Sequence, residues 1–217
     1  MIRQLARIAW WYTKAAVRVA RRWWRESAAT VDNYFKDRRY GIDTFGEEPP
    51  AGPPGAYADG EIYGASDYAE LERVVRALDP GPGDSVVDLG CGKGRAVHCF
   101  ARSKAGRVTG VELDAGLLES ARANLSKLPP GMPEPRLVLA DAARFEFTDE
   151  TLIFMYNPFG VRTLRDVLSN IRKSLARRPR PLRVVYFGAW AEWLDAEAGF
   201  SGKTRVPGTD IYVWSVA

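Results

Sequence analysis

The sequence predicts an α/β protein built around a mostly parallel β-sheet, and three observations support this fold class. Short apolar runs alternate with helical patterns along most of the chain, as in parallel sheets whose two faces are covered by helices. A glycine-rich turn, Asp88–Gly94, joins one apolar run to a helical pattern. The length of 217 residues and the apolar content of 46% suffice for one such domain with an extension.

Six apolar segments are expected to form strands, and the first four are short runs typical of strands buried on both faces. The six are Ser85–Leu89, Arg107–Glu112, Arg136–Ala140, Leu152–Tyr156, Leu182–Phe187 and Ile211–Val216. Helices are expected near Gly94–Ser103, Gly116–Leu125, Val161–Ala176 and Ala189–Ala198. An earlier helix is expected to start at an N-cap, Ser66, and to carry an apolar stripe from Tyr68 to Leu78.

The N-terminal segment is basic and rich in tryptophan, and residues 1–25 are predicted to form one helix. Charged residues interrupt its apolar positions too often for a secretory signal or a membrane span. Three roles are open for this helix: packing on the catalytic domain as a lid, lying on an anionic membrane surface, or binding a partner or a second copy. We expect residues 1–46 to be a helical extension and residues 47–60, with four prolines, to be a loop without regular structure. The domain proper is then 61–217.

Charge, cysteine and histidine content exclude several classes of function. Residues 1–40 hold ten Lys/Arg and three Asp/Glu, whereas the rest of the chain holds 21 basic and 24 acidic residues. A nucleic-acid-binding domain would carry a basic face on its body, so nucleic acid is disfavoured as a partner. Two cysteines and one histidine, His98, predict neither a disulfide framework nor a metal centre, and they favour a cytoplasmic compartment. The sequence leaves the oligomeric state open.

The glycine-rich turn carries the strongest functional signal. Glycines let the backbone turn sharply and let a ligand approach closely, and the helix that follows offers free N–H groups. Asp88 lies at the end of the preceding strand, two residues before Gly90. Glu112 ends the next strand, 22 residues after Gly90, where a carboxylate can accept hydrogen bonds from both hydroxyls of a ribose. The pattern therefore predicts a site for a ribose-bearing cofactor.

Four segments in this order resemble the motifs of class I S-adenosylmethionine-dependent methyltransferases. They are Asp88–Gly94, Gly110–Asp114, Ala140–Ala142 and Asn157–Gly160, each at a predicted strand end. The resemblance covers roughly residues 63–217. It implies a Rossmann-like fold, with a mostly parallel seven-stranded sheet, an antiparallel last strand and helices on both faces. The reversed hairpin that ends such sheets matches Gly202–Arg205 and Ile211–Val216 around a turn.

The resemblance implies S-adenosyl-L-methionine as the cofactor and S-adenosyl-L-homocysteine as the product. The residues expected at the cofactor are Tyr63, Asp88, Gly90, Gly92, Gly94, Glu112, Leu113, Asp141, Ala142 and Asn157. Glu112 would hold the ribose, and Asp141 with its neighbour would contact the adenine. Asn157 and Phe159 are expected beside the transferred methyl group, Asn157 to orient the acceptor and Phe159 as an aromatic wall. Lys93 and Arg95 are expected to be solvated charges at a helix start.

A narrower resemblance concerns the acceptor of the methyl group. The segment Tyr63–Ser66 is similar to a tyrosine-containing cofactor loop in non-SET protein lysine methyltransferases and their bacterial relatives, which implies that Tyr63 closes over the methionine end. A lysine or other amine nitrogen is therefore the first hypothesis. Phe159 directly follows Pro158, whereas amine-directed relatives carry Asn-Pro-Pro and then an aromatic residue, so nitrogen specificity stays open.

Three other functions stay open beside amine methylation. One is a methyltransferase for a small molecule, such as a secondary metabolite or a lipid. The second is a non-catalytic cofactor-binding protein. The third is a nicotinamide-dependent oxidoreductase, but its Gly-x-Gly-x-x-Gly fingerprint fails here because Arg95 stands at the position of the third glycine.

Overall fold

A computed structural model describes residues 27–48 and 59–216 of the chain. Nine strands lie in these residues: β1 (Glu47–Glu48), β2 (Tyr63–Gly64), β3 (Ser85–Leu89), β4 (Arg107–Glu112), β5 (Arg136–Leu139), β6 (Leu152–Tyr156), β7 (Leu182–Phe187), β8 (Phe200–Arg205) and β9 (Tyr212–Val216). The helices there are α1 (27–40), α2 (Tyr68–Leu78), α3 (Arg95–Ala101), α4 (Ala115–Leu125), α5 (Val161–Arg177) and α6 (Ala191–Asp195), with a 3-10 turn at Ala142–Arg144. The predicted helix over residues 1–25 lies outside the described residues.

Seven strands form one sheet in the order β5-β4-β3-β6-β7-β9-β8. Strands β3 to β7 pair in parallel, while β9 runs antiparallel to both of its neighbours, β7 and β8. The expected α/β fold, with a mostly parallel sheet and an antiparallel last strand, is confirmed. Four strands have the predicted bounds, while β5 ends one residue earlier than expected and β9 begins one residue later.

The central strands are buried because helices cover both faces of the sheet. All five residues of β3 are buried, and on one face Val86 packs with residues of α2 and α3, such as Leu71 and Phe100. On the other face Val87 packs with residues of α5, such as Leu164. Short apolar strands without polar alternation are what such a two-sided core requires.

Three local predictions are wrong or need adjustment. Asp67, not Ser66, is the N-cap of α2, and its carboxylate accepts a 2.6 Å hydrogen bond from Asn33 of α1. Helix α6 is shorter than expected and covers only Ala191–Asp195. In the described part of the predicted loop over 47–60, Glu47–Glu48 forms a short strand that pairs antiparallel with Tyr63–Gly64.

The described part of the N-terminal segment packs closely on the sheet domain. Asn33 accepts a hydrogen bond from the backbone N–H of Tyr68, at the start of α2. The backbone N–H of Asp43 donates to the Asn124 amide on α4, and that amide donates back to the Asp43 carbonyl, both at 2.9 Å. These contacts are long-range in sequence, so residues 27–48 are part of the folded unit. In this part of the chain and in 59–216, no helix has the length and apolar character needed to cross a bilayer.

Candidate functional site

A cavity of about 600 Å³ opens at the carboxyl ends of the parallel strands β3, β4, β5 and β6. Loops at this edge of an open α/β sheet are where ligands bind in such folds. Nine of the predicted site residues line the cavity together: Tyr63, Asp88, Gly90, Glu112, Leu113, Asp141, Ala142, Asn157 and Phe159. The two other predicted glycines, Gly92 and Gly94, do not line it. They serve the turn that shapes its wall.

The glycine turn needs its glycines for backbone geometry and for close approach. Gly90, Gly92 and Gly94 all have positive φ, at +75°, +52° and +85°. A Cβ on Gly90 would lie 2.5 Å from Cβ of Pro158, and one on Gly92 would lie 2.2 Å from the Tyr63 ring. Side chains at either position would therefore displace the segments that face the turn.

Glu112 links the second strand end to the glycine turn. One of its carboxylate oxygens accepts from the N–H of Gly92 at 2.8 Å, and the other accepts from Leu113 and Asp114 at 2.8 and 3.0 Å. Each carboxylate oxygen can accept more than one hydrogen bond, so ribose hydroxyls can still be bound. The residue thus holds the turn in shape and faces the cavity at the same time.

Asp88 is a buried carboxyl group on the cavity wall. It is 3% exposed, and no hydrogen bond to its side chain is formed within residues 27–48 and 59–216. Burial raises the pKa of Asp88 to about 8, and the negative charge of Glu112 adds to the rise. A cationic group placed beside it would restore its charge.

Asp141 and Ala142 close the far end of the cavity after β5. The Asp141 carboxylate accepts from the N–H of Ala143 at 2.8 Å and so starts the 3-10 turn. Ala142 is 8% exposed and packs in the core, next to helix α5. This turn presents small side chains and backbone groups to the cavity, which suits a flat aromatic base.

The fourth predicted motif follows β6 and contains a strained residue. Asn157 has φ +45°, a left-handed conformation that asparagine tolerates better than most residues. Its backbone N–H donates to the carbonyl of Phe187 at 2.6 Å. A Cβ at Gly188, whose φ is +155°, would lie 2.5 Å from the Tyr186 hydroxyl and 2.9 Å from the Asn157 amide oxygen, so this position favours glycine. Phe159 is 5% exposed and packs in the core as well as lining the cavity.

Residues 59–66 form a flap along the cavity. Gly60 forms a bridge with Phe159, and Asp59 caps α5 by accepting from Arg162 and Thr163. Further along the flap, Tyr63 lies against the glycine turn. Its hydroxyl donates to the carbonyl of Thr44 at 2.7 Å, and burial raises its pKa.

Sequence reasoning missed several polar residues of the site. Arg95 was expected to be solvated, but it is 3% exposed and donates to Thr44 and to the carbonyl of Ser66. The expectation is wrong because α1 and its following loop cover the start of α3. Tyr156 lines the cavity and donates to Glu70 at 2.9 Å, a pairing that no local pattern signals.

A family model and a curated relative both indicate a methyltransferase domain in this chain. Residues 86–178 match the family model for a methyltransferase domain. The 23S rRNA (uracil(1939)-C(5))-methyltransferase of Thiobacillus denitrificans is 28% identical over 179 residues, which are 81% of this chain and 38% of that protein. The chain thus spans well under half the length of this curated relative.

Two solved structures share the fold. An RNA methyltransferase from Salinibacter ruber, in complex with S-adenosyl-L-homocysteine, is 21% identical with a TM-score of 0.50, covering 70% of this chain and 94% of that one. A TehB-like S-adenosylmethionine-dependent methyltransferase from Corynebacterium glutamicum is 20% identical with the same TM-score, covering 71% and 89%. Residues 86–178 thus match a methyltransferase domain, and the chain shares the fold of S-adenosylmethionine-dependent methyltransferases, whose cofactor is S-adenosylmethionine.

Proposed function

We propose that this class I methyltransferase transfers the methyl group of S-adenosylmethionine to an amine nitrogen of a cationic acceptor, with a protein lysine as the first candidate. The observation that carries the proposal is the charge of the cavity. Eight Asp or Glu side chains line it, against three arginines and no lysine. Burial keeps Asp88 largely neutral at pH 7 and Lys93 neutralises Glu48, so six acidic side chains carry the negative charge of the cavity.

The three arginines offset this charge only partly. Arg95 is already paired with Asp37, 3.4 Å away, and Arg144 is strongly exposed. On the rim, Glu61 and Asp166 add negative charge without an ion pair among the described residues. A cavity with this balance attracts an ammonium group and repels the phosphates of a nucleic acid.

Asn157 is suited to orient an amine but not to deprotonate it. Within the described part of the chain, its side-chain amide makes no hydrogen bond, so its oxygen can accept one from an acceptor N–H. The hydrogen bond of its backbone N–H to Phe187, at 2.6 Å, holds the main chain of Asn157 at the end of β6. Because an amide does not titrate, an ammonium acceptor must lose its proton elsewhere before it attacks. Asn157 therefore contributes orientation, which by itself can lower a barrier substantially.

The residues of the cavity fit the cofactor of the family. A cavity of about 600 Å³ has room for a nucleoside joined to an amino acid. When bound, the cofactor supplies an electrophilic methyl group on a sulfonium ion. Glu112 is placed to bind the ribose, Asp141 and Ala142 to contact the adenine, and Asp88 to face the cationic amino-acid end. The glycines leave space that a Cβ would fill.

RNA is the main competing acceptor, because one relative and one structural neighbour are RNA methyltransferases. A small molecule with an amine would also satisfy the charge argument. One experiment distinguishes these two acceptors from a protein lysine. The purified full chain is incubated with S-adenosylmethionine labelled in the methyl group, and with lysine-containing proteins, small primary amines or total RNA.

We expect the labelled methyl group to appear in the protein fraction, where protease treatment removes it. Hydrolysis of that fraction should release the label as methyl-lysine. The control is Asn157→Gly, which removes the amide while keeping a residue that accepts positive φ. This variant should lose transfer by about a hundredfold or more and keep its affinity for S-adenosylhomocysteine. Label that is sensitive to ribonuclease would contradict the amine proposal. Label in the small amines alone would move the acceptor from protein to a small molecule.

A further inference from the structure

We infer that Asp37 and Thr44, in the N-terminal segment, are positioning residues that hold Tyr63 over the glycine turn and so set the affinity for the cofactor. The inference rests on cofactor binding in the cavity, which the proposed function also requires, but it holds for any acceptor. Neither residue lines the cavity. Both act through a chain of buried hydrogen bonds that ends at the Tyr63 hydroxyl.

The first link is the packing of Asp37 with Thr44. Asp37 is 4% exposed and Thr44 is fully buried. The Asp37 carboxylate accepts from the backbone N–H and from the hydroxyl of Thr44, each at 2.9 Å. It also accepts from the hydroxyl of Tyr68 at 2.7 Å. These bonds fix the loop after α1 in one conformation, because a buried carboxylate with several donors has few alternative arrangements.

The second link joins this loop to the start of α3. Arg95 directly follows the last glycine of the turn, and its guanidinium donates to the Thr44 hydroxyl at 2.6 Å and to Asp37 at 3.4 Å. It also lies over the ring of Tyr68, 4.6 Å from the centroid. A buried ion pair is costly to form, and removing one partner leaves an uncompensated charge. The pair therefore couples the loop to the element that carries the glycine turn.

The third link reaches the flap. The Thr44 carbonyl accepts the Tyr63 hydroxyl at 2.7 Å, and Glu48 pairs with Tyr63 in the ribbon of β1 and β2. Lys93 of the glycine turn lies 5.3 Å from the Tyr63 ring, and it also forms a 2.6 Å ion pair with Glu48. The Tyr63 ring thus has one face on the turn and its hydroxyl held by the N-terminal loop.

This arrangement predicts a coupling that a merely structural network would not show. If Asp37 and Thr44 act through Tyr63, their effect on cofactor affinity should vanish once the Tyr63 hydroxyl is gone. If they only stabilise the fold, their effect should be independent of that hydroxyl. A double-mutant cycle measures this difference.

The experiment measures the dissociation constant of S-adenosylhomocysteine and the melting temperature of the full chain in seven forms. These are the parent, Asp37→Asn, Thr44→Val, Tyr63→Phe, the double variants Asp37→Asn/Tyr63→Phe and Thr44→Val/Tyr63→Phe, and the control Asn33→Ala. Asn33 is also buried on α1 and binds α2, but among the described residues its side chain forms hydrogen bonds with Asp67 and Tyr68 and none with Thr44 or Tyr63. Thr44→Val keeps the shape of the side chain and carries the test if Asp37→Asn does not fold.

We expect each single variant at positions 37, 44 and 63 to weaken binding about fivefold to tenfold, the value of one or two hydrogen bonds. The double variants should bind no more weakly than Tyr63→Phe alone. Asn33→Ala should lower the melting temperature without changing affinity. The inference is overturned if the effects on affinity add, or if Asn33→Ala weakens binding as much as Thr44→Val. Failure of the parent to bind S-adenosylhomocysteine would instead overturn the proposed function.

Discussion

Replacing Asp88 with asparagine should abolish a pH dependence that the parent protein shows when it binds S-adenosylhomocysteine. Burial raises the pKa of Asp88 to about 8, so at pH 7 about nine in ten molecules carry this carboxyl in its neutral form. The ligand brings an ammonium group, which interacts favourably with the ionised carboxylate only. Binding must therefore release a proton, and each pH unit below 8 should change the affinity about tenfold.

The assay is calorimetric titration of the parent and of Asp88→Asn between pH 6 and 7.5. Over this range the ligand's own ammonium stays largely protonated, since an α-amino group has an ordinary pKa of about 8. Two buffers with different heats of ionisation at each pH count the protons released. The parent should bind about tenfold more tightly at pH 7 than at pH 6 and release close to one proton. Equal affinities at both pH values, with no proton released, would refute the assignment of a cation to Asp88.

The Asp88 carboxyl should also influence the stability of the protein without ligand. Here the Asp88→Asn substitution should be favourable, whereas in ligand binding it is unfavourable. Its pKa in the folded state, about 8, lies above the ordinary value of 3.8. The folded state thus binds the proton more tightly than the unfolded state does, and protonation of Asp88 stabilises the fold. This contribution to the free energy of unfolding is complete below pH 3.8 and is lost as the pH rises to 8. The shift in pKa sets an upper limit, on the order of 5 kcal/mol, for the free energy of unfolding that is lost over this pH range. Asp88→Asn should therefore melt several degrees above the parent at pH 8, although it binds the cofactor more weakly.

Two further predictions concern single residues. Glu112→Ala should weaken S-adenosylhomocysteine binding at least about tenfold, measured by titration, because the ribose and three backbone N–H groups lose one acceptor; unchanged affinity would exclude Glu112 from the site. His98 is 1% exposed, and burial with the nearby Arg102 charge lowers its pKa from 6.5 to about 4. Since the unfolded chain takes up this proton more readily, the parent should lose up to about 3 kcal/mol between pH 6.5 and 4 that His98→Leu does not lose. Denaturant titrations of both proteins at pH 6.5 and pH 4 would measure this difference in the free energy of unfolding. An equal loss in both proteins would contradict the prediction.

The sheet was predictable because its strands follow a simple physical rule. Ser85–Leu89 and Leu152–Tyr156 are short apolar runs between turn residues, and burial on both faces requires such composition. The glycine turn was predictable for a related reason. Three positive φ angles within five residues demand glycine, and the demand is visible in the sequence.

The polar network could not be predicted, because no periodicity connects its members. Asp37 and Thr44 lie seven residues apart at the end of α1 and in the loop after it, whereas Tyr68 and Arg95 belong to helices 31 and 58 residues further along the chain from Asp37. Asp37, Thr44 and Arg95 look like ordinary surface residues in their local context, and the apolar stripe that predicts burial of Tyr68 does not predict its polar partner. Arg95 in particular follows a helix start, where a solvated cation is the usual finding. Its burial depends on α1, which packs against α3 from outside the sheet.

The two ends of the cavity therefore differ in how the sequence encodes them. One end consists of strand ends such as those with Asp88 and Glu112, where we propose that the cofactor binds, and these lie within residues 86–178, which match the methyltransferase domain model. The opposite wall is formed by the flap at 59–66, which lies outside that match and is held by the N-terminal segment. The family match therefore gives no precedent for this wall, which is the one that we expect an acceptor to pass. Chimeras that exchange 27–66 between relatives should consequently change the acceptor, and because they also replace Asp37, Thr44 and Tyr63 they should change the affinity for S-adenosylhomocysteine as well.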